Sequence, residues 1–294
     1  MMLLVALGAL ACFAAPPHRQ TIDGTFDSKG VPIRYVSAGE GEPVVLIHGW
    51  QSDSSMWGKD ATGETLLSTK GLDGFRLIAL DCRGHGKSGK PHDPRKYDSE
   101  MAMDVVRLLD HLKLDRAHLI GYSSGAFVAG KVAAMRPNRV RSLVFAGQAP
   151  IVGEVKEADF SETELFARIV EEGRDRGEYL HAVAPPSYRL TLDQAKFFAK
   201  ATFRGKDVKA LALAGRGYPK LSVKADDLKK CTAPILFIHG ANESEHVKQK
   251  VATVRQTLGR GELVVVPGGD HMTTLAKPEF GASIVAFLKA NRLK

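Results

Sequence analysis

The amino-acid sequence predicts an α/β fold, in which a mostly parallel sheet carries helices on both faces. Continuous apolar runs such as 43–47 and 75–80 are expected for strands that are covered on both sides. Segments of helical periodicity stand between such runs, as at 99–114, and this alternation indicates crossover connections in a parallel sheet. The third observation is the segment 150–231, which contains helical stretches and no convincing strand. We interpret it as a helical insertion over the edge of the sheet, not as a second independent domain.

The individual elements follow from these patterns. Helices are expected at 99–114, 124–135 and 279–290, and Asp98 is the candidate N-cap of the first. Pro137 ends the second helix, because proline is poorly tolerated inside a helix. Strands are expected at 31–36, 43–47, 75–80, 118–120, 142–146, 234–238 and 262–266.

The insertion separates two parts of the predicted core, residues 21–149 and 232–294. Within the insertion, helical periodicity is found at 162–172, 192–203 and 208–214. We expect its aromatic residues to pack mainly between helices, with some of them lining a substrate pocket. These aromatic residues are Phe160, Phe166, Tyr179, Tyr188, Phe197, Phe198 and Phe203.

Composition excludes several classes of protein. A hydrophobic fraction of 44% and a charged fraction of 25% are those of a globular chain, which argues against disorder and fibrous repeats. The net charge is +8, but the basic residues are dispersed among acids and form no stripe, so we expect no nucleic-acid partner. Cys12, Cys82 and Cys231 form neither a disulfide framework nor a C-x-x-C spacing, and we expect no metal site.

The first residues resemble a leader. Residues 1–15 are uncharged, mostly apolar and too short to span a bilayer, which is typical of the apolar region of a signal peptide. The basic residues that usually begin a signal peptide are missing, and cleavage after Ala11 would leave Cys12 as the first residue of the chain. We therefore interpret 1–20 as a leader for export to the periplasm or outside the cell, without stable membrane insertion. The alternative is a cytoplasmic protein whose first residues cover the domain or stay disordered.

The strongest chemical motif is G-x-S-x-G at 121–125, placed between a predicted strand and a predicted helix. Gly121 and Gly125 allow a turn too tight for Cβ atoms, and Ser123 is then left in a strained conformation with an exposed hydroxyl. The start of the following helix presents backbone N–H groups to the same place, where an anionic intermediate would be favoured. We predict that Ser123 is a nucleophile.

A serine hydroxyl needs a base and the base needs an acid. Of ten histidines, His271 stands out because it follows the last strand in a glycine-rich loop at the sheet edge. Our choice for the acid is Glu243, which lies three residues beyond Gly240, the glycine that follows the strand at 234–238. Glu245 is the alternative. Asp270 is less suitable, because adjacent residues rarely turn their side chains onto each other.

The oxyanion of an acyl-transfer intermediate requires two backbone donors, one after the nucleophile and one after an earlier strand. We expect the N–H of Ser124 to be the first. The second is expected at Trp50, where Gly49 permits the bend of the chain.

The chain resembles the α/β-hydrolase fold family over about 31–288, and in particular the arylesterases and cofactor-free haloperoxidase-type esterases. The resemblance implies an eight-stranded sheet, a helical cap after the sixth strand and no cofactor. The family usually has Asp at the position of Glu243. Epoxide hydrolases and dehalogenases have a similar fold but place Asp where this chain has Ser123, which argues against both activities. The residues that carry the resemblance are 48–50, 81–88, 121–125, 234–240 and 267–271.

These features predict a serine hydrolase that cleaves small or medium carboxylic esters through an acyl-enzyme, with thioesters and lactones as related substrates. Two alternatives stay open. One is a hydrolase of C–C bonds in dienoate-type substrates, which would need basic or polar cap residues facing Ser123. The other is a non-catalytic ligand receptor on the same fold. The substrate and the oligomeric state do not follow from the sequence.

Overall fold

A computed structural model describes residues 21–58, 71–184 and 188–292. Eight strands form one sheet in the order β1-β2-β4-β3-β5-β6-β7-β8. β2 is antiparallel to both of its neighbours, and the pairs from β4 to β8 are parallel. The strands are β1 (Thr21–Asp27), β2 (Pro32–Ala38), β3 (Glu42–Ile47), β4 (Phe75–Leu80), β5 (Ala117–Tyr122), β6 (Val140–Ala146), β7 (Ile235–Gly240) and β8 (Glu262–Val266).

Helices cover both faces of this sheet. α1, α2 and α8 contribute buried apolar residues to the larger core cluster on one face, and α9 packs on the other face. Within the described ranges the helices are α1 (Glu100–His111), α2 (Ser124–Met135), α3 (Ser161–Glu171), α4 (Gly177–Val183), α5 (Leu192–Thr202), α6 (Val208–Gly217), α7 (Ala225–Lys229), α8 (Glu245–Leu258) and α9 (Pro278–Ala290). The predicted fold class, an α/β-hydrolase fold with a mostly parallel eight-stranded sheet, is confirmed.

The chain between β6 and β7 is helical. It holds α3 to α7, and among its described residues the only β pairing is an isolated bridge between Val152 and Val223. Four of the aromatic residues predicted to pack between helices are buried, namely Phe160, Phe166, Tyr179 and Phe203. The other three are exposed, namely Tyr188, Phe197 and Phe198.

Some elements differ from those expected. The strand β1 was not predicted, because it is a polar edge strand in which only Phe26 is buried. Asp98 is not the N-cap residue of α1. Ser99 occupies that position with a helical backbone and no capping hydrogen bond from its side chain, while a carboxylate oxygen of Asp98 accepts from the N–H of Glu100 at 2.9 Å. The short helices α4 and α7 were also missed, since each spans at most two turns.

The parallel register brings the carboxyl ends of six strands, β3 to β8, to one edge of the sheet. Ile47 pairs with Gly121, Tyr122 with Ala146, and Gly240 with Val266. Loops that follow these strands therefore meet at this edge, as in other open α/β sheets. The predicted leader, 1–20, lies outside the described residues. Among the helices described, none is long and apolar enough to cross a bilayer.

Candidate active site

Ser123 lies between the end of β5 and the first residue of α2, in a strained backbone conformation. Its φ is 54° and its ψ is −121°, a combination that side-chain-bearing residues rarely adopt. The turn is held by the backbone N–H of Ser123, which donates to the carbonyl of Ala146 on β6 at 2.8 Å. The hydroxyl is half-buried at the edge where the strands end.

The two glycines of the motif are required by close backbone approach. A Cβ on Gly121 would lie 2.3 Å from the carbonyl oxygen of Gly125, and a Cβ on Gly125 would lie 2.1 Å from that of Ile47. Neither contact could be relieved by rotating a side chain. The spacing G-x-S-x-G is therefore what allows α2 to start directly against β3 and β5.

The imidazole of His271 connects the serine to a buried carboxylate. Its Nε2 lies 3.0 Å from Oγ of Ser123, and its Nδ1 lies 2.9 Å from Oε2 of Glu243. In this arrangement the Ser123 hydroxyl donates to Nε2, and Nδ1–H donates to the carboxylate. The structure thus brings together three predicted residues that lie on three separate loops.

The loop carrying His271 is attached to β5, the strand that leads to Ser123. The hydroxyl of Tyr122 on β5 donates to the backbone carbonyl of His271 at 2.8 Å, and the two rings pack with their centroids 5.8 Å apart. Burial raises the pKa of Tyr122, so the phenol stays protonated and keeps donating. Sequence reasoning missed Tyr122, which occupies an unspecified position of the serine motif.

The structure distinguishes among the three candidate acids. Glu243 is 5% exposed, and its other oxygen accepts from the N–H of Ser244 at 2.9 Å. Glu245 is in the first turn of α8, is largely exposed and pairs with Lys248 at 2.8 Å. Asp270 accepts hydrogen bonds from residues of its own loop, including the N–H of Thr273. Only Glu243 among these contacts the imidazole through a hydrogen bond.

Surrounding carboxylates raise the pKa of His271. Removal from water is the largest single influence and lowers the pKa of the imidazole, but it is outweighed by the raising contributions together, of which the hydrogen bond and the charge of Glu243 are the largest. The charges of Glu162 and Asp270 add to the increase. The net effect is a pKa above the ordinary value of histidine, which favours the imidazolium that a general base forms when it takes a proton.

The backbone segments that carry the two expected oxyanion donors both lie next to Ser123. Ser124 is the first residue of α2, so its N–H has no partner within the helix. A Cβ built on Gly49 would lie 3.2 Å from the Cβ of Ser123 and 3.8 Å from its Oγ. The backbone that leads to Trp50 therefore runs alongside Ser123.

His48 holds the peptide that carries the N–H of Trp50. Nε2 of His48 accepts from the N–H of Cys82 at 2.9 Å, so Nδ1 carries the proton and donates to the carbonyl of Gly49 at 2.7 Å. The N–H of Ser52 donates to the same carbonyl at 3.2 Å. In a trans peptide the N–H points away from the carbonyl, so fixing the carbonyl also fixes the N–H of Trp50. Burial lowers the pKa of His48 and keeps it neutral.

The side chain of Trp50 joins the sheet edge to the helical segment. Its Nε1–H donates to the carbonyl of Leu211 on α6 at 2.9 Å. Its ring meets those of Phe166 and Tyr179 edge-on, with centroids 5.2 and 6.1 Å apart. The hydroxyl of Tyr179 donates to Oε1 of Glu162 at 2.6 Å, which places a carboxylate of α3 above this part of the site.

This arrangement is that of a hydrolase of the α/β fold, and the comparison with known families agrees. The alpha/beta hydrolase fold family matches residues 42–278, and the chain belongs to it. Within the described residues, no cluster of His, Cys, Asp or Glu side chains could hold a metal ion.

Relatives in the family have diverse activities. A putative 2-succinyl-6-hydroxy-2,4-cyclohexadiene-1-carboxylate synthase of Bacillus subtilis is 27% identical over 271 residues, which is 87% of this chain and 95% of that protein. A pimeloyl-[acyl-carrier protein] methyl ester esterase of Nitrosomonas europaea is 27% identical, covering 84% and 95%. A solved structure reported for carboxylesterases of Nitrososphaera gargenis has a TM-score of 0.73 at 22% identity, covering 92% and 98%, and shows the shared fold.

Proposed function

We propose that the protein is a serine hydrolase that cleaves small or medium carboxylic esters through an acyl-enzyme. The observation that carries this proposal is the relay of hydrogen bonds from the hydroxyl of Ser123 through His271 to Glu243. It is the arrangement in which a serine becomes nucleophilic at neutral pH. Thioesters and lactones undergo the same acyl transfer and belong to the proposed substrate range.

The proposed reaction has two halves. Nε2 of His271 takes the proton of Ser123 as Oγ attacks the ester carbonyl, and the N–H groups of Trp50 and Ser124 bind the oxyanion. The imidazolium then gives its proton to the leaving alcohol, which departs as the acyl-enzyme forms. Water, deprotonated by the same imidazole, attacks the acyl group and releases the acid. Glu243 holds the tautomer of His271 and stabilises its charged form throughout.

Two observations favour an ester over a dienoate substrate. The N. europaea relative is named for ester cleavage, and the family includes further esterases. A dienoate hydrolase would bind the carboxylate of its substrate through basic or polar groups facing Ser123. The residue of the helical segment whose charge contributes to the pKa of His271 is instead an acidic one, Glu162. A negative charge there disfavours an anionic substrate.

A fluorophosphonate probe and a panel of aryl esters of increasing acyl length test the proposal. The native protein should react with the probe and hydrolyse at least one ester of the panel. Ser123→Ala should abolish both while leaving the circular dichroism spectrum unchanged, because only the nucleophilic oxygen is removed. Ser161→Ala, which removes an exposed hydroxyl on α3, is the matched control and should retain both activities.

Two outcomes would reject this function. Ester hydrolysis that persists in Ser123→Ala would show that another group is the nucleophile. A folded native protein that neither reacts with the probe nor turns over any ester would favour the non-catalytic receptor.

A further inference from the structure

Glu162 is set apart from the other carboxylates of its helix. α3 carries three acidic residues, and two of them, Glu164 and Glu171, form ion pairs with Arg216. Glu162 has no ion-pair partner among the described residues, and its side chain is exposed. Its hydrogen bond comes from the neutral phenol of Tyr179, which contributes no positive charge.

Tyr179 fixes where this charge lies. Tyr179 is 3% exposed, and its ring packs against those of Phe166 and Trp50. Gly49, the residue before Trp50, lies beside Ser123. Burial and the charge of Glu162 raise the pKa of Tyr179, so the phenol remains a hydrogen-bond donor to the carboxylate. A buried aromatic residue that contacts Trp50 thus holds the exposed carboxylate in place.

The same carboxylate acts on the catalytic imidazole. The charge of Glu162 contributes to raising the pKa of His271, although the two residues belong to different parts of the fold and have no hydrogen bond in common. The contact of Tyr179 with Trp50 places this carboxylate next to the segment that lies beside Ser123. A substrate bound at Ser123 would occupy the neighbourhood of both groups.

We propose that Glu162, held by Tyr179, forms a cation-accepting subsite that selects esters carrying an amino group. This inference rests on the proposed function. An ammonium group donates hydrogen bonds and supplies the missing positive charge, so it would bind the carboxylate with a charge-assisted hydrogen bond. A substrate ending in a carboxylate would be repelled, and a substrate ending in methyl would be unaffected.

The test compares esters that differ only at one end. p-Nitrophenyl esters of unbranched acids of several lengths, each ending in methyl, ammonium or carboxylate, probe the acyl side. Acetates of alcohols with the same three ends probe the leaving-group side. In one of the two series the ammonium ester should exceed the methyl ester in kcat/KM by roughly tenfold, mainly through KM, because a hydrogen bond to a charged group has about this effect.

Glu162→Gln, compared with the native protein at a pH above the acidic limb of both, should bring the ratio of kcat/KM between the ammonium ester and the methyl ester to about one. Glu164→Gln is the matched control, since it removes the same charge from the same helix at a position paired with Arg216, and it should keep the preference. Tyr179→Phe should weaken the preference without abolishing it, because the carboxylate remains and only its anchor is lost.

The following outcomes would contradict the proposed subsite. Equal kcat/KM for the three ends in both series would show that no charge is selected, and the hydrolysis of the methyl ester would still support the proposed function. A uniform loss of kcat in Glu162→Gln across all esters would mean that the carboxylate acts only through the imidazole. Failure of the native protein to hydrolyse any ester would reject the function itself.

Discussion

Glu243 is the residue at which this chain departs from the pattern of its family, which usually has aspartate there. Glutamate is one methylene longer, and the chain accommodates it by folding the side chain back so that one oxygen accepts from the N–H of Ser244. The other oxygen then reaches Nδ1 of His271 at 2.9 Å. The longer side chain is therefore held in place by its own loop.

Glu243→Gln should lower kcat by about three to four orders of magnitude with little change in KM, because an amide does not hold the required tautomer or stabilise the imidazolium. Steady-state kinetics on an aryl ester provides the measurement. Glu245→Gln is the control and should stay within about twofold of the native rate, since Glu245 is exposed and pairs with Lys248. A large loss in the control and not in Glu243→Gln would assign the acid to Glu245.

The pH dependence of the reaction should reflect the raised pKa of His271. A general base must be neutral in the free enzyme, so kcat/KM is low where the imidazole is protonated and increases as the pH rises through its pKa. Because the carboxylates raise this pKa above its ordinary value of 6.5, the midpoint of the acidic limb should lie above pH 6.5. A profile of kcat/KM for a neutral ester measures it. In Glu162→Gln the midpoint should move to lower pH, and an unchanged midpoint would contradict the electrostatic contact.

Residues of the site differ in how far the sequence could predict them. Ser123, His271 and Glu243 each follow a recognisable strand with glycines nearby, and this local pattern made them the candidates that the structure brings together. The positions of Glu162 and Tyr179 depend on how two helices pack above the sheet. Nothing in the spacing of α3 distinguishes Glu162 from Glu164, so only the three-dimensional structure separates them.

At the scale of elements, strand ends position the chemistry and a side chain of β5 connects two of them. Tyr122 is the last residue of the strand that leads to Ser123, and its hydroxyl donates to the loop that follows β8. The imidazole is partly exposed, at 38% of its side-chain surface, so packing alone does not fix it. The orientation of the base therefore depends on this hydrogen bond between loop and strand.

Tyr122→Phe should lower kcat several-fold and reduce the free energy of unfolding by about 1 kcal/mol, because one buried hydrogen bond is lost while the ring still packs. Tyr122 acts as a positioning residue, so the midpoint of the acidic limb should stay where it is in the native protein. Kinetics across pH and urea unfolding measure the two effects. A purely structural role would be indicated by a loss of stability with an unchanged kcat.

The elements that the sequence predicted best are those with one strong local determinant. α2 was expected at 124–135 and observed there, since a strand, a glycine turn and a following Pro137 define both ends. β1 lacked such a determinant, because an edge strand that buries one residue has no apolar alternation to detect. Its existence depends on pairing with β2, which is tertiary information.

At the scale of the whole molecule, the helical segment between β6 and β7 belongs to two apolar clusters. Residues near its two ends, among them Ile151, Leu221 and Leu228, are part of the large core of the sheet. Its middle forms a separate cluster around Phe166, Tyr179 and Phe203, to which the core contributes Trp50. The base of the segment is thus fixed to the sheet, whereas the part that carries Glu162 and Tyr179 has a small core of its own.

Phe166→Ala should therefore disturb the separate cluster around Phe166, Tyr179 and Phe203 while the sheet stays intact. A small separate cluster can open locally, so the loss in global stability is limited to the free energy of that opening. Phe145→Ala, the control, removes a ring of the same size and burial from β6 and should cost about 3–5 kcal/mol. Hydrogen exchange should accelerate in α3 and α4 of Phe166→Ala and remain native in β5 and β6, with KM raised for the ammonium ester in particular. Equal acceleration in the strands would show instead that the segment and the sheet unfold as one unit.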